Sequence, residues 1–169
     1  MSSPISTEVL IDGALFLGMH HCDNAIRRAC KAFFVSHLHT SVTMSLEQVG
    51  FCDDVVWGYP RETQDAYYPF MDVLHTDMRI TRTPYTEADL AVATGDPALE
   101  GLPLAQRLTA AMALRHGATL HTADPVLLGL SGLPVRKVAP AQTDAEFPPH
   151  LEKLYVTSLV LRTGPHPQF

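Results

Sequence analysis

The feature that most constrains this chain is a short run near its start, Glu8-Val9-Leu10-Ile11, stopped abruptly by Asp12-Gly13. An apolar run without polar alternation leaves no face for water, so it reads as a strand buried on both sides, as in parallel sheets. Ala14 to Met19 continues as a short helix, and Asp23 stands as N-cap of a helix over Asn24–Val35, where Ile26, Ala29, Cys30, Phe33 and Phe34 recur at helical spacing. Ser41-Val42-Thr43-Met44 is a second strand, running into the capping box Ser45-Leu46-Glu47-Gln48 of a helix that Tyr59-Pro60 ends. A helix over Glu62–Thr76 follows, with Pro69 as an interruption, then a half-exposed strand over Met78–Thr83 and a helix from Thr86 to Ala93.

Pro103 opens and Gly117 closes the next helix, whose apolar stripe is Leu104, Leu108, Ala111 and Met112. Ala118–Thr122 forms a strand, Asp124-Pro125 caps a short helix, and Pro134–Val138 makes the last core strand. Strands alternating with helices predict an α/β fold, a three-layer α/β/α sandwich around a mostly parallel sheet. Residues 1–138 form the domain. Residues 139–169 are a C-terminal extension packing on the domain or at a dimer interface; Leu154–Leu161 is read as an added strand or docking segment, and the last residues as frayed.

With 169 residues, 46% of them hydrophobic and 18% charged, the chain has material for one core and no signature of general disorder. No apolar stretch approaches the ~18 residues of a membrane span. Met1-Ser2-Ser3-Pro4 lacks a secretory pattern, and Cys22, Cys30 and Cys52 are too few and too irregular for a disulfide framework. The expected location is the cytoplasm. A net charge of −6 argues against a broad electrostatic grip on nucleic acid, but not against an enzyme whose acidic centre is offset by divalent metal.

Three acids follow strand ends: Asp12, Glu47 and Asp124. In parallel sheets ligands bind beyond the carboxyl ends of the strands, and converging carboxylates repel unless a cation lies between them. Carboxylate oxygens suit Mg²⁺ or Mn²⁺, which can generate hydroxide and stabilise a leaving oxygen on phosphorus. Each acid also has a local explanation: a turn at Asp12-Gly13, a helix-start charge at Glu47, an N-cap at Asp124.

Over residues 8–138 the chain resembles the PIN-domain family of metal-dependent ribonucleases, which includes many toxins of bacterial toxin–antitoxin pairs. The resemblance rests on Val9-Leu10-Ile11-Asp12, on Val42-Thr43-Met44-Ser45-Leu46-Glu47, and above all on residues 104–124, a small-residue helix leading to Gly117-Ala118, a strand and Thr122-Ala123-Asp124. It implies Asp12, Glu47 and Asp124 as metal-site and catalytic acids, with Thr122 supporting them by hydrogen bonding. Gln106 stands where the family usually has aspartate; it would position water or phosphate but brings no charge.

A histidine-rich neighbourhood, His20-His21-Cys22-Asp23 with His37-x-His39, offers zinc-type ligands but no recognised spacing; His20 and His21 are candidate substrate contacts. Arg27, Arg28, Arg79, Arg82 and Arg107 are candidate phosphate contacts. Tyr59, Tyr67 and Tyr68 are candidate stacking platforms, with Trp57 expected in the core beside Phe51 and Val55.

The leading expectation is a PIN-type, Mg²⁺- or Mn²⁺-dependent phosphodiesterase or ribonuclease. RNA is its substrate class, and a homodimer and an antitoxin-type protein are its implied partners. The alternatives are a catalytically inactive PIN-like binding or regulatory module, and a small-molecule metalloenzyme using His20, His21 and Cys22.

Overall fold

The computed structural model describes residues 7–164. β1 (Val9–Ile11) is the central strand of a five-stranded sheet, ordered β3-β2-β1-β4-β5 and parallel at every pairing. Its neighbours are β2 (Ser41–Ser45) and β4 (Thr119–Thr122), with β3 (Arg79–Thr83) and β5 (Val135–Lys137) at the edges. Leu10 and Ile11 are both fully buried, as an unalternating apolar run requires. Leu10 joins a core with Leu120, Ala110 and Met112, whereas Ile11 joins one with Leu15, Phe34 and Met44. One strand thus separates two cores, and the sandwich has three layers.

Helices cover both faces. α1 (Gly13–Gly18), α2 (Asn24–His37), α3 (Leu46–Trp57) and α4 (Arg61–Asp77) contribute to the larger core; α5 (Glu87–Gly95) and α6 (Leu104–His116) contribute to the smaller. α6 places Ala110, Ala111 and Ala113 in that core, and these small side chains let a helix lie close to its neighbours. Gly117 ends it at φ +61°, a left-handed position that glycine takes without Cβ strain. α7 (Pro125–Leu128) is a single turn after β4.

Several expectations are corrected. α4 runs straight through Pro69; burial of Tyr67, Phe70 and Leu74 around it offsets the hydrogen bond that proline cannot donate. Trp57, expected in the core, is 70% exposed, because it sits on the last turn of α3 where Val56, not its neighbour, faces inward. Of the two readings of Leu154–Leu161, the strand is wrong: the segment begins in a helix, α8 (Pro149–Ser158), which docks on α4. Leu151, Tyr155 and Leu161 are buried in the larger core, so the C-terminal extension completes the domain. The expected fraying of the last residues and the reading of Met1-Ser2-Ser3-Pro4 lie outside the described residues.

The chain passes from β1 outward to β2 and β3, then returns to the other side of β1 for β4 and β5. The carboxyl ends of β1 and β4 flank this reversal, where crevices open in parallel sheets. Among the described residues no helix is long and apolar enough to cross a membrane.

Candidate functional site

Asp12 leaves β1 in extended conformation and caps α1, its Oδ1 accepting the Leu15 amide at 2.9 Å. Its Oδ2 accepts the Thr122 hydroxyl from the end of β4 at 2.5 Å, and that hydroxyl oxygen accepts the Asp124 amide at 2.9 Å. Asp124 caps α7 through Oδ1, which accepts the Val126 amide at 2.9 Å, and its Oδ2 accepts Nε2 of Gln106 at 3.3 Å. Gln48, near the start of α3, accepts the Gly13 amide on Oε1 at 2.8 Å. Asp12, Gln48, Gln106 and Asp124 thereby line one cavity of about 10 Å³, the space of a single water.

Asp12 is sealed from solvent, and burial pushes its carboxyl up to about 7. The Thr122 and Leu15 hydrogen bonds oppose that rise, and the neighbouring Asp124 charge adds to it. Burial also pushes the Cys30 thiol up to about 12, with the Asp12 charge reinforcing it, so this cysteine is an inert core residue. Oε1 of Gln106 is buried with no hydrogen-bond donor.

Four of the sequence-predicted residues therefore meet: Asp12, Gln106, Thr122 and Asp124. Glu47 does not join them. It is exposed on the N-terminal turn of α3, and both of its oxygens accept the Tyr85 amide at 3.2 Å. The inward position belongs to Gln48, which sequence reasoning had placed only in the capping box. Ser45 does accept the Gln48 amide at 3.0 Å, but the Gln48 side chain crosses to α1 instead of returning to its own cap. The signal was present: the third residue after a cap lies on the same side as the strand end, the second does not.

The histidines disperse. His20 is fully buried among Tyr67, Phe70 and Tyr155, with Nε2 at 2.8 Å from the Ser158 hydroxyl, so it is a core residue and makes no substrate contact. His21 accepts the Asp23 amide on Nδ1 and, with the exposed Cys22, lines a larger cleft that Gln106 and Asp124 also line, whereas His37 stacks on Phe33. Among the described residues no three His, Cys, Asp or Glu side chains form a metal-holding group.

The arginines are largely occupied elsewhere. Arg107 donates to the carbonyls of Leu102 and Glu100, pinning the loop before α6, and Arg28 pairs with Asp144. Of the tyrosines, Tyr67 is buried and Tyr59 donates to the Arg162 carbonyl.

Beside the small cavity opens a cleft of about 890 Å³, which sequence reasoning missed because its walls are distant in the chain. Its walls are mainly aliphatic, with Ala25, Ile26 and Ala29 from α2, Val126 and Leu128 from the α7 region, and Val138 after β5. Gln106 and Asp124 line both the cleft and the small cavity. Thr163 closes one side through a parallel bridge to His21.

An open parallel α/β sandwich with carboxyl–amide pairs at its strand ends and an aliphatic cleft beside them is the class that this geometry defines. The sequence matches the family of unknown function DUF6190 over residues 1–167, and the chain belongs to that family. No curated protein matches it. The crystal structure of PAE2754 from Pyrobaculum aerophilum is similar, with a TM-score of 0.54 and 16% identity, covering 94% of this chain and 100% of that one. That likeness is one of fold.

Proposed function

We propose that the chain is a PIN-like binding or regulatory domain that uses the cleft beside Asp124 to hold a ligand, rather than a metal-dependent ribonuclease. One observation carries this reading: the other polar side chains that share a cavity with Asp12 and Asp124 are uncharged, the amides Gln48 and Gln106 and the hydroxyl of Thr109. Two carboxyls offer a dication much less charge than four acids would. Glu47, held on the Tyr85 amide, does not restore it. The donor set therefore fits a hydrolytic Mg²⁺ or Mn²⁺ centre poorly. The adjoining cleft, by contrast, has the volume and apolar lining of a small-molecule site.

The test is incubation of a mixed single-stranded RNA pool with the protein and Mn²⁺. The expected result is no cleavage above that of an Asp12→Asn variant. Mn²⁺-dependent cleavage that Asp12→Asn abolishes would overturn the binding reading and restore the phosphodiesterase.

A further inference from the structure

We infer that the cleft takes an aliphatic primary amine, its ammonium group set against Asp124 and Gln106 and its hydrocarbon chain along the α2 and α7 walls. This rests on the binding reading and names its ligand.

The inference starts from unmet acceptors. Oε1 of Gln106 is buried with no donor, although its residue is only 7% exposed, and a buried acceptor left unpaired is costly. Asp124, also buried, stands beside it and accepts only the Val126 amide and the Gln106 Nε2. A group that brings several N–H donors and a positive charge answers both needs at once, and an ammonium carries three donors and no acceptor.

Charge around the cleft points the same way. Asp23 and Asp124 are its acidic lining residues, and Lys137, exposed on the edge strand β5, is its one lysine. A carboxylate or phosphate head placed at Gln106 would meet an acceptor and an anion. The walls determine the rest of the molecule. Ala25, Ile26, Ala29, Ala123, Val126 and Leu128 are aliphatic, and the one ring among the lining residues is His21, at the rim beside Thr163, whose Nδ1 accepts the Asp23 amide. That surface suits a flexible hydrocarbon chain, and it carries no Phe, Tyr or Trp on which a nucleobase would stack.

The experiment is thermal unfolding and calorimetric titration of the full chain with hexylamine, hexanol and hexanoate at neutral pH. Hexylamine should raise the midpoint with concentration, hexanol should do so weakly and hexanoate not at all. Asp124→Asn, which keeps the helix cap, should weaken hexylamine by about tenfold or more, the expected scale for loss of a charge-assisted hydrogen bond. Ala25→Trp, at an exposed position on the cleft wall, should block binding while leaving the circular dichroism spectrum unchanged. No response to hexylamine, or an equal response to hexanoate, would overturn the amine assignment. Neither result touches the binding reading itself, which falls only if the RNA assay shows metal-dependent cleavage.

Discussion

The Thr122 hydroxyl donates to Oδ2 of Asp12 across 2.5 Å, and so joins the carboxyl end of β4 to that of β1 through side chains 110 positions apart. The same oxygen of Thr122 accepts the Asp124 amide, so one hydroxyl orders three parts of the site. Thr122→Val preserves shape and removes both roles. It should lower unfolding free energy by about 1–3 kcal/mol, the cost of an unpaired buried polar group, while Thr122→Ser should recover most of it. Urea unfolding of the three proteins measures this.

Asp12 and His20 give opposite pH dependences. Burial raises Asp12 from 3.8 to about 7, so the folded state keeps a proton that the unfolded chain releases; its stabilising effect is full below about pH 4 and is lost as pH rises through 7. Burial, helped by the Arg162 and Arg27 charges, lowers His20 from 6.5 to about 3, so its effect is full above pH 6.5 and is lost as pH falls toward 3. Between about pH 4 and 6.5 the two slopes, each about 1.4 kcal/mol per pH unit, nearly cancel. Burial lowers His75 and His121 as well, so Asp12→Asn, which removes the one opposing slope of these, should gain stability with rising pH over that window more steeply than the parent does. Denaturant titrations across the window decide it.

Gly18 packs against the side chain of Cys30, and a methyl group added there would collide with the cysteine sulfur and its Cβ. Gly18→Ala should cost about 1–3 kcal/mol through overpacking of the larger core. Cys30→Ala in the same chain should return part of that loss, a coupling visible as non-additivity in a double-mutant cycle.

Placing acids at Gln48 and Gln106 tests the amide positions directly. The Gln48→Glu, Gln106→Asp double variant gathers four carboxyls around one cavity, an arrangement that repels itself unless a dication is present. It should unfold at lower temperature than the parent without metal and gain stability with added Mn²⁺, a response expected to be weak or missing in the parent. Calorimetric scans with and without Mn²⁺ give the answer.

α8 belongs to the core. Leu151→Ala should destabilise the chain by about 2–5 kcal/mol, as removal of a fully buried leucine does, and Tyr155→Phe by about 1 kcal/mol through loss of its hydrogen bond to the Met19 carbonyl. Val156→Ala, at an exposed position on the same helix, should change little. Equilibrium unfolding separates the three.

The layered fold was legible because local signals agreed with it. Val9-Leu10-Ile11 lacks alternation, Asp23 and Asp124 are good caps, and Pro103 with Gly117 brackets α6. α8 was harder, since Pro148 and Pro149 stand at its start and proline breaks a helix interior, although it also suits a helix's first turn. In the site, Asp12 and Asp124 could be read from their places after strands, and Thr122, the last residue of β4, only from the family resemblance. Gln48 was hidden because an acid one position earlier drew attention, and only the direction of the side chain separates the two. The cleft was invisible for another reason: α2, α7 and the segment after β5 meet there through tertiary packing, which leaves no periodicity in any one of them.

The parallel bridge between His21 and Thr163, with the Cys22 amide donating to the Thr163 carbonyl and the Thr163 amide to the His20 carbonyl, has a mechanical corollary. Tension applied at residue 164 loads this two-rung fastening before any of the five strands feels it. Peeling the fastening away would unroof the side that Thr163 covers while the strand ladder stays zipped, so the aperture and the scaffold yield at different forces.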